Sequence, residues 1–265
     1  EHWDPGTRDF PLFIPRSVYT DDSVLALAVA EAILSGREYS ELLKEFGLRY
    51  PDAGYGRSFF RWLRENDPKP YNSWGNGSAM RVPAVGFAFD TEEEVLREAE
   101  LTALPTHNHP EGIKGAQAVA LAVFLARRGA GKEEIRGRLT ERFGYDLTRS
   151  VEEIQPDYTF DVSCQGSVPE AIISFLDSNS YEEAVRNAVF LGGDSDTIAC
   201  MAGAVAEAYY GGVPSEIASE TFERLPKHLR DVLEMFEARY GVSGPGGTNV
   251  EVKGRFKVER SGNVR

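Results

Sequence analysis

Thr20-Asp21-Asp22-Ser23-Val24-Leu25-Ala26-Leu27-Ala28-Val29-Ala30-Glu31-Ala32-Ile33-Leu34-Ser35-Gly36 is the stretch on which the fold turns. Val24, Leu25, Ala28, Val29, Ala32 and Ile33 recur at helical spacing across residues 22–35; Thr20 stands where an N-terminal cap belongs and Gly36 where a helix stops. The same pattern predicts helices over residues 38–46, 56–65, 78–87, 91–102, 110–129, 131–143, 168–177, 180–191, 196–211, 214–223 and 226–240. Thr91-Glu92-Glu93-Glu94 is a capping-box pattern, and Ser180 precedes Glu182-Glu183 in a predicted first turn. Alternating strand patterns are scarce, so the expected class is all-α, with residues 1–240 as a single helical domain. Residues 241–265 read differently. A Gly-rich linker runs over 241–249, and then Val250, Val252, Phe256 and Val258 alternate with Glu251, Lys253, Lys257 and Glu259. That period of two predicts one or two short strands or an exposed tail, without assigned chemistry.

Composition narrows the function. In 265 residues, 42% hydrophobic and 27% charged content suit a globular chain with a proper core. The net charge of −13, with no Lys/Arg-rich run, argues against nucleic acid as a partner. Apolar runs such as 118–126 fall short of the roughly 18 residues of a membrane span, so no membrane partner is expected. Two cysteines, Cys164 and Cys200, stand in no metal-ligand spacing and suit buried thiols in a reducing compartment. The expected location is the cytoplasm.

Acidic residues cluster at two predicted helix mouths. Thr20-Asp21-Asp22 opens one, and Gly192-Gly193-Asp194-Ser195-Asp196-Thr197 opens another far downstream. Each alone is an ordinary helix N-terminus, where carboxylates meet the helix dipole. Together they supply four carboxylates and two hydroxyls, the oxygen donors that Mg²⁺ or Mn²⁺ prefers over the His and Cys of zinc sites. Convergence would carry severe like-charge repulsion, which a bound cation relieves.

Two further segments punctuate helix starts. Asn72-Ser73-Trp74-Gly75-Asn76-Gly77-Ser78-Ala79-Met80-Arg81 is a glycine-rich loop entering a helix, either a flexible turn or a cradle for phosphate or diphosphate. Arg81 would pair with an anion or form a structural salt bridge. Thr106-His107-Asn108-His109-Pro110-Glu111 sets two histidines at a helix mouth. With His2 and His228 in unrelated contexts, hydrogen bonding is favoured over zinc ligation. The small residues Gly115, Ala116, Ala118 and Ala120 that follow predict close helix packing.

These four segments, in this order, resemble the ADP-ribosylglycohydrolases, which include the dinitrogenase-reductase-activating glycohydrolase and the eukaryotic ADP-ribosyl-acceptor hydrolases. Val168-Pro169-Glu170-Ala171 also looks like the family's segment ahead of its last motif, and the resemblance covers roughly residues 10–212. It implies a compact orthogonal multi-helix bundle with a catalytic centre of two Mg²⁺ (or Mn²⁺). Thr20, Asp21, Asp22, Asp194, Asp196 and Thr197 would be the metal ligands. Asn72, Ser73, Trp74, Gly75, Asn76 and Gly77 would hold the diphosphate and distal ribose, with His107 along the same cleft. Family members begin with a helix carrying a Gly-Asp…Gly-Ser-x-x-Glu pattern. This sequence starts at or just after its end, which makes Glu1 a second acid/base candidate beside Asp22.

The implied reaction is hydrolysis of the glycosidic bond between ADP-ribose and a modified side chain of a protein or small molecule, through an oxocarbenium-like transition state. The acidic chain favours a cationic arginine as acceptor, with serine the other option. Two alternatives remain. One is a non-catalytic ADP-ribose-binding or structural member of the family. The other is a different metal-dependent nucleotide hydrolase, which would release phosphate or AMP instead of ADP-ribose.

Overall fold

The computed structural model describes residues 6–241, whose regular secondary structure is helical. In order, the helices are α1 (Asp21–Ser35), α2 (Tyr39–Arg49), α3 (Arg57–Arg64), α4 (Gly77–Met80), α5 (Pro83–Ala88), α6 (Glu92–Ala103) and α7 (Pro110–Arg127). They continue with α8 (Lys132–Phe143), α9 (Val151–Ile154), α10 (Cys164–Leu176), α11 (Tyr181–Leu191), α12 (Ser195–Tyr210), α13 (Ser215–Arg224) and α14 (Lys227–Tyr240). Among the described residues the sole β feature is an isolated bridge between Gly75 and Ser163. The fold class is all-α, as expected. Glu1 and the tail from 242 onward lie outside the described residues.

Local chemistry explains where the helices start and stop. Gly36 ends α1 at φ 73°, its N–H donating to the Ala32 carbonyl at 2.9 Å. Thr91 and Ser180 accept from the backbone N–H of Glu94 and Glu183, as N-caps should. The single helix expected over 78–87 is instead two, α4 and α5, because Pro83 has no N–H for the Ala79 carbonyl. Helix α10 begins at Cys164, earlier than the Val168-Pro169 pair suggests, because Ser163 caps it by accepting from Gly166 N–H at 3.1 Å. Pro169 therefore falls inside the helix. The short α9, closed by a Ser150–Glu153 capping box, is too brief to show a period.

Helix α7 is the axis of the molecule. Its residues 118–126 are all buried, and α4, α5, α6, α8, α10 and α12 pack around it. A helix apolar on every face belongs at the centre of a bundle. Small residues set how closely its neighbours approach. A Cβ on Gly86 of α5 would lie 2.6 Å from Val123 Cβ, and one on Gly115 of α7 would overlap Cys164 Sγ of α10. Gly115→Val is therefore expected to cost about 1–3 kcal/mol by overpacking, read as a lower urea midpoint at unchanged slope. This crossing also matters for function, because α10 and α7 hold up the 72–77 loop.

Candidate metal centre and glycine loop

The N-termini of α1 and α12 meet at one end of the bundle. Asp22 in the first turn of α1 and Asp194 at the N-cap position of α12 are both buried. Burial pushes the Asp22 carboxyl up to about 8, with the charges of Asp21, Asp196 and Asp194 adding to the effect. The four carboxylates thus share one electrostatic field, although they are remote in sequence. Asp194 is also raised by burial and by Asp196, opposed by hydrogen bonds from Asn76 and Thr197.

Thr20 has the extended backbone of a cap, but its hydroxyl donates to Asp22 Oδ2 at 2.8 Å instead of accepting from a helix N–H. The cap expected at this position is therefore replaced by a pairing between side chains. Asp194 likewise makes no capping bond, and its Oδ2 accepts from Asn76 Nδ2 at 2.6 Å. Gly193 enters this corner at φ 68°, where a Cβ would sit 2.7 Å from Tyr158 Cε1. The Gly-Gly lead-in is a requirement of backbone angle and space.

The donor set fits a hard cation. Asp22 Oδ1 and Asp196 Oδ1 are buried and have no hydrogen-bond partner, and oxygen is the ligand type that Mg²⁺ and Mn²⁺ take. Among the described residues, however, no three His, Cys, Asp or Glu side chains close into a ready ligand cluster. Carboxylates at one mouth repel one another and spread. The orphaned oxygens of Asp22 and Asp196, in a field shared by all four carboxylates, are what suits this corner to a cation.

A pH dependence follows from Asp22. Between pH about 4 and about 8 the folded chain keeps this proton while the unfolded chain releases it. Folding therefore takes up a proton in that window, and stability falls as pH rises through it. The melting temperature in chelator is expected to be lower at pH 8 than at pH 5, with a flatter dependence in Asp22→Asn.

The glycine loop leans on the acidic corner. Asn72 takes a positive φ of 54°, and its N–H donates to Asn108 Oδ1 at 2.8 Å. Ser73 N–H reaches the Thr106 carbonyl, Asn76 N–H reaches the Val162 carbonyl, and Cys164 N–H reaches the Trp74 carbonyl. Cys164 Sγ adds a bond to the Gly75 carbonyl at 3.1 Å. Trp74 is 53% exposed beside the His109 ring, an open apolar face at the loop's edge. His107 is buried behind the loop, its ring 3.3 Å from where a Cβ of Gly77 would be. Burial, with the charge of Arg81, holds its imidazole neutral. Nδ1 of His107 lies 2.7 Å from Thr106 Oγ1.

Arg81 does not form the structural salt bridge that was one of its two expected pairings. Its guanidinium is fully buried and donates through Nη2 to the Thr102 carbonyl and Thr106 Oγ1, while Nε and Nη1 have no partner. No ion pair of Arg81 occurs among the described residues. Burial pushes its pKa down to about 10.

Sequence reasoning missed the segment at 158–163, which backs the loop through Val162 and covers Gly193 with Tyr158. Its signal was present in Ser163-Cys164-Gln165-Gly166, a cap followed by a first turn. A cavity of about 1080 Å³ adjoins the acidic corner at Thr20, Asp22 and Asp196, and is elsewhere walled largely by apolar residues of α1, α5, α12 and α14.

The ADP-ribosylglycohydrolase family model matches residues 1–244. The chain is similar to ADP-ribosylhydrolase ARH3 of Homo sapiens, at 30% identity over 78% of this chain and 75% of that protein. The mouse protein of the same name is 29% identical over 88% of this chain and 78% of its own length. ADP-ribosylarginine hydrolase Tri1 of Pseudomonas putida (strain GB-1) is 26% identical, over 86% and 72% respectively. A solved structure titled ADP-ribosylglycohydrolase-related protein complex superposes with a TM-score of 0.66 at 27% identity, covering 86% of this chain and 83% of that one.

Proposed function

Because the chain belongs to the ADP-ribosylglycohydrolase family, we propose that it hydrolyses the bond between ADP-ribose and a modified side chain. The observation that carries this reading is a buried acidic corner with two orphaned carboxylate oxygens, bonded directly to a glycine loop. Thr20, Asp21, Asp22, Asp194, Asp196 and Thr197 would hold two Mg²⁺ or Mn²⁺ ions. When bound, these would supply charge stabilisation and orient the distal ribose. The loop at 72–77 would take the diphosphate, with the buried, unpaired charge of Arg81 behind it favouring an anion. Water adds to the anomeric carbon, the glycosidic bond breaks, and the side chain leaves with a proton. Asp22, at the metal site, is one acid/base candidate for handling that proton. Glu1 is the second acid/base candidate.

Arginine is the proposed acceptor, supported by the acidic chain and by the name of the Pseudomonas relative. The more similar relatives carry names that specify no acceptor, so serine is the competing arm of the test. The two cysteines are free thiols, which suits the cytoplasm. No described helix is long and apolar enough to cross a membrane.

Product analysis on ADP-ribosylated arginine and serine peptides, with Mg²⁺ or with chelator, tests the proposal. Release of intact ADP-ribose that stops on chelation is expected, at least tenfold faster from the arginine peptide. Release of AMP or phosphate would assign a different nucleotide hydrolase. No release from either peptide would leave a binding role.

A further inference from the structure

We propose that Asn76 is a positioning residue that fixes the Asp194 carboxylate for cation binding, so that the glycine loop helps build the metal centre. This rests on the metal-centre reading above and adds a residue that touches the carboxylate instead of the cation.

The geometry is specific to this asparagine. Its backbone is held on both sides: the N–H donates to the Val162 carbonyl at 2.8 Å, and the carbonyl accepts from Ala79 and Met80 at 2.8 and 3.0 Å as α4 begins. The residue is buried, 6% exposed, so its side chain has little freedom. From that fixed point Nδ2 donates to Asp194 Oδ2 at 2.6 Å. A buried hydrogen bond onto a carboxylate is charge-assisted and sets the plane of its acceptor. Asp194 makes no capping bond, and the other hydrogen bond onto its carboxylate comes from Thr197, itself one of the proposed ligands, so Asn76 is the anchor from outside the ligand set. Groups that orient a ligand in this way commonly contribute 10- to 100-fold in metal affinity. The hydrogen bonds of Asn72, Ser73, Trp74 and Gly75 described here run to Asn108, Thr106, Cys164 and within the loop, and not to the acidic corner.

The test is calorimetric titration of Mn²⁺ into the full chain without substrate, comparing wild type, Asn76→Ala, Asn76→Ser and Asn108→Ala. Asn76→Ser keeps a small polar residue at the start of α4 and still removes the amide donor, which covers a failure of the alanine variant to fold. Asn108→Ala loosens the other end of the loop, through Asn72, without touching the carboxylate. The expected result is Mn²⁺ affinity about tenfold or more weaker in both Asn76 variants and within about threefold of wild type in Asn108→Ala. Excess Mn²⁺ should still fill the Asn76 variants to the wild-type stoichiometry in the same titration, which a collapsed centre would not allow. Wild-type affinity in the Asn76 variants, or equal weakening in Asn108→Ala, would overturn the assignment and leave the metal centre standing. Absence of Mn²⁺ binding by wild type would overturn the centre itself, and this assignment with it.

Discussion

Asp196→Ala is expected to lower turnover on an ADP-ribosylated peptide by about two orders of magnitude or more, while the helical circular dichroism stays unchanged. The residue lies in the first turn of α12, and its Oδ1 is buried without a partner. A cation stabilises transition-state charge by several kcal/mol, and each ~1.4 kcal/mol is a factor of ten in rate. Loss of one ligand therefore accounts for an effect of this size. Stability moves differently. Asp196 raises both Asp22 and Asp194 by like-charge repulsion, so in chelator the alanine variant should melt no lower than wild type. Near-normal turnover in this variant would sink the metal mechanism.

The second large effect separates binding from folding. Arg81→Met is expected to weaken ADP-ribose binding about 10- to 100-fold, or ~1.4–2.8 kcal/mol, with stability changed by less than about 2 kcal/mol. The guanidinium is fully buried, two of its nitrogens are orphaned, and among the described residues no carboxylate pairs with it. Replacing it by an apolar chain of similar length relieves a desolvation penalty of several kcal/mol. Against this stand the lost hydrogen bonds to the Thr102 carbonyl and Thr106 Oγ1, costing about 1–3 kcal/mol for each orphaned group. These terms nearly offset in the free protein, but not when a diphosphate occupies the loop in front. Titration calorimetry with ADP-ribose and a urea melt read the two quantities. Affinity within twofold of wild type would remove the loop as an anion site.

The helices were legible because their signals are local. The apolar period of α1, the Gly36 stop and the Thr91 and Ser180 caps all lie within a few residues of what they control. The split at Pro83 follows from equally local chemistry. The early start of α10 required weighing Ser163 against the attraction of Pro169 to a first turn, and periodicity favoured the wrong one. At the site, the residue types were readable and the contacts were not. Nothing around residues 20–22 shows that Thr20 turns its hydroxyl to Asp22 and leaves the helix uncapped. Nothing around Arg81 shows that its charge is sealed behind the loop, since that depends on Thr102, Thr106 and the packing of α6 and α7. The loop at 158–163 escaped notice for the same reason. Its work is done by the backbone carbonyl of Val162, which any residue could supply.

The hydrogen bond between Asn76 and Asp194 joins positions 118 residues apart. During synthesis, helices α1 to α11 leave the ribosome before Asp194 does, and at about 5–20 residues per second the wait is several seconds or more. Throughout that interval the chain holds one acidic mouth and a glycine loop with nothing to grip. At the proposed metal centre, divalent ions would not template the early helices, because the second half of the ligand set is not yet made. Closing so wide a contact is slow relative to helix formation, so metal uptake should mark the last step of maturation. A refolding trace should then show circular dichroism recovering ahead of Mn²⁺ binding.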